Sequence, residues 1–144
     1  MALTHTIVLA AHVLFAAGWL GVALVLTRAA RTVASSPDPA WIDATARMVT
    51  SATAMAALFY VFALANFVLG SRVGFEYGWP YHTSLTLGLL LLLAQVFIVR
   101  PAWNKVAAGD VASSKRFALG IEIGKGLWLA MFILMYVGRG VLGG

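Results

Sequence analysis

The sequence predicts an all-α protein, an antiparallel four-helix transmembrane bundle, and three observations lead to that prediction. Of the 144 residues 62% are hydrophobic and 10% charged, whereas soluble domains carry roughly 45–50% apolar and about 25% charged residues. Four stretches have few or no charges and exceed the roughly 20 residues that cross a bilayer. The run from Leu89 to Leu93 is apolar on every side, unlike the alternating strands of a membrane barrel. An ordinary soluble enzyme is therefore excluded.

The four spans follow one another with short connections and form a single integral membrane domain over residues 1–144. We expect them at about residues 6–27, 48–71, 77–99 and 117–138. The first apolar run is longer than a signal peptide core and no Lys or Arg precedes it, so we expect it to be retained. Between the first two spans, Asp38 is expected to cap a new helix and Pro39 to occupy its first position.

The basic residues indicate an orientation. The two loops on one side carry seven of them: Arg28, Arg31, Arg47, Arg100, Lys105, Lys115 and Arg116. The opposite side has Arg72 and Arg139. The positive-inside rule therefore places both termini outside the cytoplasm, in a bacterial inner membrane. The basic residues form no stripe, so we expect no nucleic acid, and the lipid bilayer is the expected partner.

Histidines within the spans are candidate ligands, because polar groups are costly to bury in lipid. His12 and Trp19 are seven residues apart on one face of the first helix, and His82 opens the third. Both helices start on the same side, so His12 and His82 are expected at similar depths. Two imidazoles from facing helices can hold haem b or another metal ion without cysteine. The alternative is that each histidine only hydrogen-bonds to neighbouring helices.

Glu122 and Lys125 are the charged pair inside the fourth span, and their i, i+3 spacing brings their side chains together. We expect them near the level of Gln95 and of Ser51 or Thr53 on neighbouring helices. They are the candidate catalytic residues, in a proton relay, a quinone contact or recognition of a substrate carboxylate. The alternative is a polar clamp between helices.

Methionines and glycines are read mainly as packing residues. Imidazole and thioether groups together suit copper, but the methionines are dispersed, and only Met131 and Met135 are one turn apart. We expect them to fill gaps in the core. Gly120 and Gly124 form a G-x-x-x-G pattern, which is typical of close helix contacts.

Two segments resemble a known group of small four-helix bacterial membrane proteins. His12 to Gly21, with Trp19, is similar to the HemJ-type pattern of a histidine, an apolar run, Trp and Gly. Gly78 to Leu85 is similar to that family's Gly-Trp-x-His-x-Lys-Leu, with one residue inserted and Ser84 where the family has lysine. The group includes HemJ-type protoporphyrinogen oxidases, CopD-like copper-resistance proteins and an uncharacterised integral membrane branch, which the chain resembles most. The resemblance implies that His12 is a haem ligand. We expect His82 to be the second ligand, and Trp19 and Ser84 to be the other cofactor-binding residues.

Three functional hypotheses follow from these residues. The leading one is a haem b protein with an electron-transfer or haem-metabolism role. If it is an enzyme, it would oxidise a porphyrinogen and pass electrons to an acceptor such as a quinone. The second is a non-catalytic membrane subunit or assembly factor, in a homo-oligomer or a larger membrane complex. The third is copper or other metal-ion handling.

Overall fold

The four-helix architecture is confirmed. The computed structural model describes the backbone of residues 2–142 and the solvent exposure of residues 3–138 and of Gly140. This part of the chain forms four helices and no strand: α1 (Ala2–Ser35), α2 (Pro39–Arg72), α3 (Trp79–Ala107) and α4 (Ser113–Leu142). Short connections reverse the chain, so consecutive helices run antiparallel. α1 packs along α2 and α3 along α4, and contacts from α1 to α4 and from α2 to α3 close the bundle.

All four helices are long and apolar enough to cross a membrane. The shortest candidate span has 26 residues, which at about 1.5 Å per residue exceeds a hydrocarbon core about 30 Å thick. Large apolar side chains cover the outside of the bundle, including Leu14, which is 68% exposed, and Phe97, which is 66% exposed. The protein is therefore a multi-pass membrane protein whose outer surface suits lipid.

The helices extend further than the predicted spans. α1 continues from residue 27 to Ser35, and α2 already begins at Pro39, so the basic residues between them lie on helices instead of in a loop. No Gly or Pro lies between residue 27 and Pro37, and a helix satisfies its backbone hydrogen bonds whether or not lipid surrounds it. The predicted cap is confirmed, because the Ala40 N–H donates to Asp38 Oδ1 at 2.8 Å.

α3 contains a π-helical turn at Gln95–Val99, which the sequence pattern does not predict. In this turn the Arg100 N–H donates to the Gln95 carbonyl, five residues earlier. Pro101 follows directly; it has no N–H to donate, and its ring would crowd the preceding turn of an ordinary α-helix. The wider turn accommodates this ring, and α3 continues to Ala107 instead of ending near residue 99.

The antiparallel arrangement gives the bundle two different ends. α1 and α3 end where α2 and α4 begin, and this end, called here the basic end, holds all seven basic residues that the sequence assigns to one side. The opposite end includes Arg72 and Glu76. The side chain of Arg139, counted in the sequence-based comparison, lies outside the described residues.

The core is packed most closely toward the basic end. Trp19, Leu26 and Phe117 are at most 1% exposed. An added Cβ at Gly120 would lie 2.9 Å from a Val99 methyl carbon, and one at Gly124 would lie 2.7 Å from the Trp19 ring. These two glycines therefore allow α4 to approach α3 and α1 closely, as their spacing predicts.

Candidate functional site

His12 is the histidine that the fold buries, with 5% of its surface exposed. Its Nδ1 lies 3.1 Å from the Phe59 carbonyl oxygen, and its ring stacks on the Phe59 ring with centroids 4.8 Å apart. A carbonyl oxygen only accepts hydrogen bonds, so Nδ1 carries a proton, and in the neutral imidazole Nε2 then keeps a lone pair. Metal-ligating histidines are commonly oriented in this way, by donating the other ring N–H to a backbone carbonyl. His12 is therefore set up to accept a hydrogen bond or to bind a metal ion.

A small cavity adjoins His12 in the half of the bundle away from the basic end. Its volume is about 40 Å³, enough for about three or four waters at roughly 10–15 Å³ each. Ser84 and Asn66 line it from α3 and α2. Ser84 Oγ and Asn66 Oδ1 are buried without a hydrogen-bond partner in the described structure. Such atoms are costly in a protein interior unless a water or a ligand satisfies them.

Met131 and Met135 line the same cavity from α4. Met131 is 4% exposed, and its sulfur would lie 3.5 Å from a Cβ added at Gly88, another lining residue. The sequence presents these methionines only as two side chains one turn apart. Their position beside His12 depends on the packing of α4 against the other helices. Their i, i+4 spacing was the signal that could have singled them out.

His82 does not line this cavity. Its side chain is exposed at the start of α3, and its ring meets the edge of Phe67 with centroids 5.2 Å apart. The cavity is also far smaller than the roughly 300–1,000 Å³ of sites that hold organic ligands. The described residues therefore do not fit a haem held between His12 and His82. Haem binding stays a prediction.

Trp19 lies in the core, outside the lining of the cavity. Its Nε1–H donates to Gln95 Oε1 at 3.4 Å, and Gln95 Nε2 donates to Thr53 Oγ1 at 3.2 Å. This Trp19–Gln95–Thr53 network joins α1, α3 and α2 and satisfies a glutamine that is 1% exposed. The sequence predicts that Gln95 and Thr53 lie at one depth, but it does not predict the hydrogen bond from Trp19 to Gln95.

Glu122 and Lys125 form the expected ion pair on α4, with Nζ and Oε1 2.6 Å apart. Thr27 of α1 donates to Glu122 Oε1 at 3.5 Å. The Glu122 side chain is 54% exposed and neither residue lines the His12 cavity, so the structure does not bring the predicted catalytic pair to the predicted ligands. Within the described residues, no three His, Asp or Glu side chains are placed to hold a metal ion.

Comparisons with known proteins assign no family to this chain: no family model, curated protein or solved structure matches it. The arrangement of the cavity is therefore the basis for a functional proposal.

Proposed function

We propose that this protein handles a soft monovalent metal ion, Cu⁺, which it binds inside the bundle with His12, Met131 and Met135 as ligands. The sequence keeps metal-ion handling as its third hypothesis, with His12 and His82 as the expected ligands; in this proposal Met131 and Met135 replace the exposed His82. One observation carries it: an imidazole with a free Nε2 lone pair and two thioether side chains line the same cavity of about 40 Å³.

The chemistry of the lining favours a soft ion over a hard one. Thioether ligands select Cu⁺ among the common biological metals, and imidazole is also a good copper ligand. No Asp or Glu is among the lining residues, whereas Ca²⁺ needs six to eight oxygen ligands and Mg²⁺ near-ideal octahedral oxygen coordination. A single positive charge also limits the desolvation cost of placing an ion in an apolar bundle.

The size of the cavity favours an ion over an organic cofactor. About 40 Å³ accommodates one metal ion and a water, and leaves no room for a porphyrin or quinone ring. Ser84 Oγ and Asn66 Oδ1 would then hold that water, which explains two buried polar atoms that otherwise lack a partner.

The proposal is tested by copper binding to protein purified in mild detergent. Cu⁺, kept reduced, is titrated against a chromophoric chelator. We expect one Cu⁺ per chain in the wild type. His12→Ala should lose most of the affinity, and Met131→Leu and Met135→Leu, which preserve volume, should each lower it at least tenfold.

Two matched variants serve as controls. His82→Ala removes an exposed histidine, and Met55→Leu changes a methionine that contacts Gly18 instead of the cavity. Both should bind copper like the wild type. The proposal fails if the wild type binds no Cu⁺ more tightly than His12→Ala. In that case a Soret band that sharpens on reduction would favour the haem hypothesis, and a colourless, metal-free protein would favour the subunit hypothesis.

We also propose that both termini lie outside the cytoplasm in a bacterial inner membrane, because the basic end holds seven Lys and Arg residues. A phosphatase that is active only outside the cytoplasm, fused to the C-terminus, should be active. A fusion into the Gly74 turn should also be active, because this turn and the C-terminal end of α4 lie at the same end of the bundle, opposite the basic end. If neither fusion is active, the orientation is the reverse of the one proposed.

A further inference from the structure

Tyr77 lies between the His12 cavity and the exterior at the end opposite the basic end. Of the described residues that line the cavity, Tyr77 alone is outside the helices, in the connection from α2 to α3. Its side chain is half-buried, whereas the neighbouring Phe75 and Glu76 are exposed. The Tyr77 side chain therefore meets both the cavity and the solvent-exposed connection.

The opposite direction along the bundle is closed by the core. Toward the basic end lie Trp19, Leu26 and Phe117, which are at most 1% exposed, and an ion could pass only by displacing closely packed side chains. The end at Tyr77 is near: Ser84, in the cavity lining, follows the first residue of α3, Trp79, by five residues, or about 7.5 Å. Exchange with water is therefore expected at this end.

Tyr77 is held by contacts that can break without unfolding a helix. Its hydroxyl donates to the Asn66 carbonyl at 2.9 Å, and its ring stacks on Phe67 with centroids 4.6 Å apart. Among the described residues, the backbone N–H groups of Glu76 and Tyr77 donate to no backbone carbonyl. Rotation of this side chain thus breaks one hydrogen bond and some ring contacts, and leaves the four helices intact.

Gly70 leaves the room that the Tyr77 hydroxyl occupies. A Cβ added at this glycine would overlap the hydroxyl oxygen and lie 2.8 Å from Tyr77 Cζ. These atoms are the far end of a side chain, and alanine is a better helix former than glycine. Gly70→Ala should therefore displace the Tyr77 ring and leave α2 in place.

We propose that Tyr77 is a gate, whose side chain rotates away from Asn66 and Phe67 to admit an ion to the His12 cavity from the aqueous phase at this end. The identity of the ion as Cu⁺ rests on the proposed function; the gate does not. The faces of aromatic rings attract a monovalent cation, and the exposed Glu76 beside Tyr77 places a carboxylate at the entrance.

The reactivity of a single thiol in the cavity tests the gate without copper. The chain contains no cysteine, so Ser84→Cys introduces one thiol, in place of a buried hydroxyl of the cavity lining. Methyl methanethiosulfonate, a small reagent, attaches a methylthio group to this thiol, and the mass of the intact protein in mild detergent gives the rate. A buried group reacts through local opening of the structure around it.

Changes at the gate should raise this rate. Tyr77→Phe loses the hydrogen bond to Asn66, so the rate should rise roughly two- to tenfold, the change in equilibrium expected from one typical hydrogen bond. Gly70→Ala, which displaces the ring, and Tyr77→Ala, which removes it, should each raise the rate further. Tyr136→Ala is the matched control, because its ring is 77% exposed and outside the cavity lining, and it should leave the rate unchanged.

A thiol at the other end distinguishes opening of the gate from loosening of the whole bundle. Thr45 is 0% exposed and does not line the cavity, so Thr45→Cys should react slowly with or without Tyr77→Ala. An equal rise at this position would overturn the gate. An unchanged rate in Ser84→Cys when Tyr77→Ala is added would also overturn it, because exchange would then follow a path between the helices.

Copper transfer separates the gate from the proposed function. If the wild type binds Cu⁺, Tyr77→Ala should release it to a chelator faster than the wild type does, and equal release rates would overturn the gate. A wild type that binds no Cu⁺ would end the copper proposal, and the thiol rates would still decide the gate.

Discussion

The two halves of the bundle are packed in different ways. Toward the basic end, Trp19 fills the space beside Gly124, and Gln95 is paired with side chains from two other helices. Around His12 the same four helices leave a cavity of about 40 Å³, with Ser84 Oγ and Asn66 Oδ1 unpaired. Toward the basic end the buried Thr45 Oγ1 also lacks a partner, whereas the two unpaired atoms of the other half belong to residues that line one cavity. The two halves therefore differ in packing: large side chains fill the half toward the basic end, and the half around His12 keeps a small cavity.

The largest expected effect is the loss of Trp19. Trp19→Ala removes a ring that is 1% exposed and should lower the free energy of unfolding by about 3–5 kcal/mol. Leu85→Ala, beside the cavity, should cost no more than about 2 kcal/mol, because the side chain is only partly buried. Unfolding in mixed micelles measures both. Equal losses would mean that the two halves do not differ in packing.

The same substitution placed in each half sharpens the comparison. In Gly124→Ala the new Cβ would lie 2.7 Å from the Trp19 ring, so the ring must move, at a cost of about 1–3 kcal/mol. In Gly88→Ala the nearest atoms would be 3.5 Å away, an ordinary contact. Alanine favours the helix over glycine by about 0.8–1.0 kcal/mol, so this variant should be as stable as the wild type or more stable. A destabilised Gly88→Ala would contradict the open packing of the cavity half.

The hydrogen bonds of the Trp19–Gln95–Thr53 network should contribute less to the free energy of unfolding than the Trp19 ring does. Gln95→Leu leaves the buried Trp19 Nε1–H without its acceptor and should lower the free energy of unfolding by about 1–3 kcal/mol. Ser84→Ala, which removes a hydroxyl that has no protein partner, should cost less when no ion or water is bound. If Ser84→Ala lowered the free energy of unfolding of the metal-free protein more than Gln95→Leu does, the cavity half would be the half whose polar groups stabilise the bundle.

The smallest expected effect is a pH dependence of stability caused by Tyr77, which lines the cavity. Tyr77, in the connection between α2 and α3, donates its hydroxyl to the Asn66 carbonyl at 2.9 Å. Burial, followed by the nearby Tyr81, raises the pKa of Tyr77 above its ordinary value of 10.0. The protonated form is thus favoured in the fold: its stabilising contribution is complete below pH 10.0 and is lost as the pH rises through the raised pKa.

Tyr77→Phe lacks this hydroxyl, so the wild type should be the more stable protein near neutral pH, and the difference should shrink above about pH 10. Thermal unfolding of both proteins from neutral to alkaline pH measures the difference. A difference that stayed constant across that range would mean that folding does not change the pKa of Tyr77.

The sequence by itself determined the architecture and much of the local structure. Four long apolar stretches need helices, because the backbone must satisfy its own hydrogen bonds in lipid. Asp38 and Pro39 define the start of α2, and the spacing of Glu122 and Lys125 defines an ion pair, since both depend on residues close in sequence. The identification of His12 as a buried candidate ligand also came from the sequence, because a polar residue inside an apolar span is conspicuous.

Only the tertiary structure decided which distant side chains meet. The rotation of α3 leaves His82 exposed and places Ser84 at the cavity, and the packing of α4 brings Met131 and Met135 to His12. The π turn in α3 shifts the phase of the residues beyond it and cannot be read from an apolar run that is uniform around the helix. Helix rotation is set by contacts summed over whole interfaces, and a sequence that is apolar on every face does not specify it.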